Sequence, residues 1–413
     1  MPRPRTLAIG AFALLLAAAP FAPRGGGDDG ALLPSGEQKP STLLPAEAVG
    51  YGTVTPDLQR EIDRVVDQGL ALGRVSARQA PEQLAADLVR CADFAGQRYC
   101  LNSGWTTSDP AEVRARAASA ARTLRARPAA TTTTGDLDVL GSMRRTAGLA
   151  PAARAAAERA ELTQAARSVA KVWLLRHEIE GVEVPAAFLS LHPEASATTT
   201  AARGTTTSTT TAAEPASARP KTASDYPQRA AILSTRRVAE QVRTYWCGPS
   251  TMQMIAWGWK KFDRGQTHWA DRLGTTTAGT AITDMVRVVN ESTGWDRPEY
   301  AGPYIPLDIG DYSFAQWKLL QMRHIVDYKA PVVLHPILLK KYYPYLDDDA
   351  SGHFQVGRGY DKRGRKPLAL GYFEPWNQQR FDPSEPYIDR VQWRTAYKSF
   401  RANQDHFQHN IGV

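Results

Sequence analysis

The chain has 413 residues, of which 43% are hydrophobic and 22% charged, enough material for two ordinary domains with a sizeable core. Its formal net charge is +8, yet from residue 225 onward 25 Lys/Arg face 20 Asp/Glu, so the excess is spread thinly. A surface dedicated to nucleic acid would gather that charge into a stripe or cluster, and nucleic acid is excluded as a partner on this ground.

In chain order, Arg3 and Arg5 precede an apolar run over residues 7–19, and a polar stretch follows. This is the outline of a secretory signal, too short to span a membrane. Residues 1–29 therefore read as signal and short leader, although Pro20 after three alanines obscures the cleavage point. No later segment reaches transmembrane length, and the expectation is an exported protein, extracellular or attached to the cell wall. Residues 30–54 read as flexible. Residues 55–195 read as a mostly helical accessory region: Leu58, Ile62, Val65 and Val66, then Leu84, Leu88 and Val89, recur at helical spacing. The Ala/Arg/Glu/Leu-rich stretches 110–127 and 143–180 have strong helix propensity and are interrupted by a threonine run at 131–134. Between residues 89 and 110, Cys91 and Cys100 predict a local disulfide in an oxidising compartment, a staple on a small turn rather than a redox pair. Residues 196–224, Thr/Pro/Ala-rich and of low complexity, cannot build a core and read as a linker.

From residue 225 the texture changes, and eight of the ten tryptophans lie beyond it. Here the pattern predicts helices near 247–259, 281–289 and 314–328. Strands are expected near 330–339, 352–360 and 368–377, giving an α+β arrangement with a helix first and an antiparallel sheet after it.

The chemistry concentrates on Gln241 and Cys247. Met252, Ile255, Ala256 and Trp259 follow Cys247 as one apolar helix face, with Pro249 tolerated in the first turn. A cysteine at a helix N-terminus meets unpaired N–H groups and a partial positive charge, both of which favour the thiolate. A nucleophilic thiol also needs a base, oxyanion donors and a group to orient the base. Cys247 is read as nucleophile, its own N–H and the Gln241 amide as the oxyanion hole, and His353 as base. Glu374 or Asn377 would orient the imidazole.

Gln241…Cys247-Gly-Pro-Ser, Gly352-His353-Phe…Gly359-Tyr360-Asp361 and Phe373-Glu374-Pro375 resemble the papain-like peptidases of the bacteriocin-processing type, family thirty-nine of the cysteine peptidases. The likeness is nearest to free-standing secreted bacterial members and covers residues 225–413. It implies a papain-like fold, with the cysteine at the start of a central helix packed on an antiparallel sheet, and hydrolysis of peptide bonds through a thioester. Glu374 stands where much of the family has Asp, which puts the orienting role in question and keeps Asn377 open. Transporter-linked members carry a membrane bundle and an ATPase, and neither pattern occurs here.

The resemblance makes a peptide or protein the substrate. Cell-wall peptide hydrolysis or transamidation at the same site, and an inactive binding module, are the alternatives. His335 and His324 rival His353 but read as structural. Asp347-Asp348-Asp349 lacks the alternating ligands of a calcium loop, and His406 and His409 have no Cys or carboxylate set beside them, so no metal or cofactor is assigned. Trp246, Tyr304 and Trp376 are candidates to line a cleft. For the helical region the reading favours an accessory or inhibitory role over a wall anchor or spacer.

Overall fold

The computed structural model describes residues 52–126, 134–184, 220–346, 348–364, 368–376, 381, 389–395, 397–403 and 406–413. The expected signal, Asn377, Asp347 and most of the flexible and linker segments lie outside them. The chain divides into units Met1–Lys39 and Pro40–Val413, and everything described belongs to the second. No helix among the described residues is long and apolar enough to cross a membrane.

The first helix, α1 (Pro56–Ala71), starts where Thr55 accepts the Leu58 amide and Pro56 needs no donor, and it buries Leu58, Ile62, Val65 and Val66. After α2 (Pro81–Leu88) come three short strands, β1 (Cys91–Phe94), β2 (Gln97–Cys100) and β3 (Gly104–Thr106). The Cys91–Cys100 disulfide joins residues that are directly paired across β1 and β2. Four helices complete this part: α3 (Pro110–Ala126), α4 (Val139–Ala147), α5 (Pro151–Arg167) and α6 (Val169–Leu175). The staple that the sequence suggests is thus the edge of a three-stranded meander within a helical region.

Beyond residue 220 lie β4 (Arg229–Ala231), α7 (Cys247–Gly258), α8 (Gln266–Leu273), α9 (Ile282–Ser292), β5 (Pro306–Leu307) and α10 (Phe314–Val326). The chain then runs through β6 (Val332–Leu334), β7 (Gln355–Asp361), β8 (Ala369–Phe373), β9 (Val391–Arg394), α11 (Tyr397–Arg401) and β10 (Ile411–Gly412). The fold is α+β. One sheet runs in the order β1-β2-β3-β5-β10-β6-β7-β8-β9, with β4 also on β7. All its pairings are antiparallel except β3 on β5, where Trp105 meets Leu307.

That one parallel pairing makes the sheet continuous from the helical region into the later part of the chain. Trp105 is fully buried where they meet, and its indole donates to Ser168. The buried Glu178–Arg323 pair at 2.9 Å, with Tyr328 also donating to Glu178, ties the end of the helical region to α10. A single apolar core runs from Ile62 and Trp105 through Met252 and Ile255 to Val333 and Phe354. A smaller cluster packs α2 against α3 and α4 around Leu84, Val113 and Met143.

Candidate active site

Helix α7 is the centre of this arrangement. Met252, Ile255 and Ala256 are buried, as the apolar face predicts, whereas Trp259, the fourth residue of that face, is half-buried at the C-cap; Cys247 and Met254 are buried too, because the helix is enclosed on most sides. No side chain caps its N-terminus; the Cys247 N–H instead donates at 3.3 Å to the carbonyl of Thr134. The Gln241 side-chain amide donates to that same oxygen at 3.3 Å, as well as to the carbonyls of Arg243 at 3.0 Å and Thr244 at 2.7 Å. Gln241 is held in place by its backbone N–H on the Pro375 carbonyl, one residue beyond Glu374. The two donors read from sequence as an oxyanion hole therefore converge on one carbonyl oxygen, contributed by a residue 107 positions before Gln241.

His353 and Glu374 meet at 2.7 Å through Nε2 and Oε1. The longer glutamate stem reaches the imidazole from just beyond β8, where Val356 of β7 pairs with Phe373. Glu374 accepts three further bonds, from Tyr345 Oη at 3.0 Å, Gln355 Nε2 at 2.6 Å and the Trp376 N–H at 2.9 Å. Burial pushes its pKa up, but the His353 imidazole and these donors outweigh burial and hold it below the ordinary carboxylate range. A carboxylate can only accept, so the imidazole proton sits on Nε2 in the neutral ring. Nδ1 then carries a lone pair, and it is buried with no hydrogen-bond partner. Asn377 lies outside the described residues, so Glu374 is the group the structure places on the imidazole.

The sulfur of Cys247 lies against the backbone N–H of Phe354, the residue after His353, and against that of Gly248. Thr251 fixes the same junction by donating to the Phe354 carbonyl at 3.2 Å. Burial pushes the Cys247 thiol well above its ordinary range; the two amides pull it down, and the charges of Asp136 and Glu374 push it further up. The helix terminus alone predicts the opposite direction. Desolvation wins because Gln241, Cys247, His353 and Glu374 are each 0% exposed.

Residues 134–137 pack against this site. Thr134 donates its N–H to Ser351 Oγ at 3.0 Å and its hydroxyl to the Gly352 carbonyl. Thr280 then brackets the next residues: its N–H donates to the Gly135 carbonyl at 2.8 Å and its carbonyl accepts from Leu137 at 2.9 Å. Asp136 is enclosed between two imidazoles, 2.8 Å from His335 Nε2 and 2.9 Å from His406 Nε2. Burial raises the Asp136 pKa, but the two histidines hold it far below the carboxylate range. These three side chains are also the group among the described residues whose ligand atoms, within 4.8 Å of one another, could hold a metal ion. His406 therefore does have a carboxylate and a second histidine beside it, from residues 136 and 335, which the local His406/His409 spacing gave no means of seeing.

The remaining candidates fall elsewhere. His335 stacks on Phe354 with ring centroids 4.5 Å apart and bonds Asn410 through Nδ1 at 2.6 Å. His324 is buried in α10, bonded to the Ala330 carbonyl at 3.0 Å, and burial lowers its pKa to about 3. His409 contacts the Phe400 carbonyl at 3.0 Å. Asp349 accepts the Lys340 N–H at 2.9 Å. Tyr304 donates its hydroxyl to the Pro331 carbonyl and lines a cavity of about 530 Å³ with Trp105, Glu161 and Arg287. Trp376 is buried beside Glu374 and Trp246 precedes Cys247. Sequence reasoning missed Thr134, Asp136, Tyr345 and Gln355. The only local signal was the interruption of the helical pattern by the threonine run ending at Thr134.

Residues 226–404 match the model described as the Peptidase_C39 like family. The chain matches no curated protein and no solved structure.

Proposed function

We propose, from the premise that residues 226–404 belong to the C39-like peptidase family, that this protein is a cysteine peptidase built on Cys247 and His353. In this reading His353 Nδ1 takes the thiol proton, with Glu374 holding the ring by its Nε2–H. The thiolate attacks a peptide carbonyl, and the Cys247 N–H and Gln241 amide receive the oxyanion. The amine leaves with the proton from His353, and water then hydrolyses the thioester. The observation that carries the proposal is the convergence of the Cys247 and Gln241 donors on a single carbonyl oxygen, the geometry a scissile carbonyl requires.

Secretion is part of the same proposal. The basic–apolar start of the chain and the Cys91–Cys100 disulfide support it, since such bonds persist in oxidising compartments. Peptides exposed outside the cell, including those of a cell wall, are then the accessible substrates.

Replacing Cys247 with Ala is expected to abolish hydrolysis of unfolded peptides at a stability cost of about 1–3 kcal/mol, because the buried Phe354 N–H loses the sulfur it faces. Hydrolysis by the variant at the wild-type rate refutes the proposal.

A further inference from the structure

Residues 134–137 occupy the place where a substrate would have to bind. The Thr134 carbonyl takes both oxyanion donors, the backbone of Gly135 and Leu137 pairs with Thr280 on one wall, and Thr134 bonds Ser351 and Gly352 on the other. We propose that this segment is an internal peptide ligand of the active-site cleft, so that the chain is self-inhibited until residues 134–137 withdraw. The proposal rests on the peptidase reading for what the cleft does, but the occupancy of the cleft is a separate matter of access.

Three features make the segment a fitted ligand rather than a passing loop. First, the contacts are those of an extended peptide: a carbonyl on two convergent donors, and alternate N–H and C=O groups on the backbone of a neighbouring strand-like stretch, where Asp136 bridges Thr280 in parallel. Such contacts read main chain rather than side chains. Secondly, Gly135 has a φ of +107°, and a Cβ at that position would stand 2.3 Å from the Tyr245 backbone, so the segment can pass this close only as glycine. Thirdly, the segment is latched one residue later. The Asp136 carboxylate is gripped by His335 and His406, and a Cβ on Gly352 would come within 2.1 Å of it.

The consequence is complete closure. Thr134 is 0% exposed, like the four side chains it covers, so no external peptide carbonyl can reach the sulfur while it stays. It also supplies a map of the cleft. When the segment leaves, Thr280 and the 351–352 turn are the main-chain walls left for an incoming peptide; the Cys247 N–H becomes free, and Gln241 keeps its bonds to the Arg243 and Thr244 carbonyls while losing the third acceptor.

The test uses the full-length protein and iodoacetamide, with the modified residue located by peptide mass spectrometry. Wild type is expected to alkylate at Cys247 at least a hundredfold more slowly than a short unstructured cysteine peptide. Gly135→Ala, whose methyl collides with the Tyr245 backbone, should raise that rate at least tenfold while keeping near-ultraviolet dichroism. Asp136→Asn, which weakens the latch without touching the sheet, should raise it by a smaller factor and serves if the first variant does not fold. Wild-type alkylation as fast as that of the free peptide overturns the proposal. So does a folded variant that labels no faster than wild type. Hydrolysis of an unfolded peptide is followed in parallel. Faster labelling without any hydrolysis upholds self-inhibition and defeats the peptidase reading. Wild-type hydrolysis that Cys247→Ala removes, together with fast wild-type labelling, upholds the peptidase and defeats self-inhibition.

Discussion

Glu374 accepts four hydrogen bonds in a site without solvent, so its replacement separates two physical effects that are usually mixed. Glu374→Ala removes the acceptor of the His353 Nε2–H, which cannot be re-aimed because it belongs to a packed ring. An orphaned buried donor costs about 1–3 kcal/mol, a noticeable part of the 5–15 kcal/mol that holds a typical domain together. Glu374→Gln behaves differently. Its amide oxygen can keep the Oε1 position, while its NH2 faces Tyr345 and Gln355. The Tyr345 hydroxyl can turn to accept, and Gln355 Oε1 has no partner at present, so that amide can flip to accept as well. The expected loss is about 1 kcal/mol, within the range of one ordinary hydrogen bond. What the glutamine cannot supply is negative charge beside an imidazolium. At about 4 Å and an effective dielectric near 20 that charge is worth about 4 kcal/mol, so turnover should fall about a hundred- to a thousandfold. Urea unfolding gives the stabilities, and peptide turnover in the Gly135→Ala background gives the chemistry. A Glu374→Ala protein within 1 kcal/mol of wild type, or a Glu374→Gln enzyme with full turnover, would refute this account.

Acid should destabilise the fold partly through His324, whose pKa falls from 6.5 to about 3 on burial. The unfolded chain binds its proton below pH 6.5 and the native state does not, so this stability is present above 6.5 and is lost as pH falls towards 3. The slope is about 1.4 kcal/mol per pH unit. The stability difference between wild type and His324→Gln, followed by urea unfolding from pH 7 to 4, should change with that slope, and a difference independent of pH contradicts it. Glu374, held below 4.5, acts in the same direction at lower pH: its stabilisation is present above pH 4.5 and is lost as pH drops through its lower native value. A Glu374→Gln protein should therefore lose less stability than wild type on acidification below pH 4.5, measured by the same unfolding series. Replacing both Cys91 and Cys100 by Ser opens a loop of about ten residues and should cost about 2–3 kcal/mol on chain-entropy grounds. Thermal unfolding with and without reductant checks it: wild type should respond to the reductant and the double variant should not.

How much of this was legible in the chain depends on the range over which each feature is specified. The start of α7, its buried face, the β7–β8 pair and the Cys91–Cys100 bridge are local. Periodicity, a proline in the first turn and a nine-residue spacing are carried by neighbouring residues, and the structure follows them closely. The residue types of the site could likewise be named from short motifs, and the Peptidase_C39 like match spans the same stretch. The choice between Glu374 and Asn377 could not be made from those motifs, because it rests on which side chain points at an imidazole across two paired strands.

The sequence by itself determined that a cysteine would stand at the head of an apolar helix and that a histidine and an acid would follow beside strands, His353 just before β7 and Glu374 just after β8, since these are properties of a few residues at fixed spacing. It also determined the disulfide, for the same reason. Only the tertiary structure decided that β3 joins β5 in parallel, that Asp136 lies between His335 and His406, 270 residues from the latter, and that Thr134 fills the oxyanion donors. Those contacts leave no periodic mark on the chain, because each is a single meeting of residues whose neighbours make different contacts. They also reverse the local electrostatics: a helix terminus that favours a thiolate in water instead carries a thiol whose pKa burial pushes well above its ordinary range.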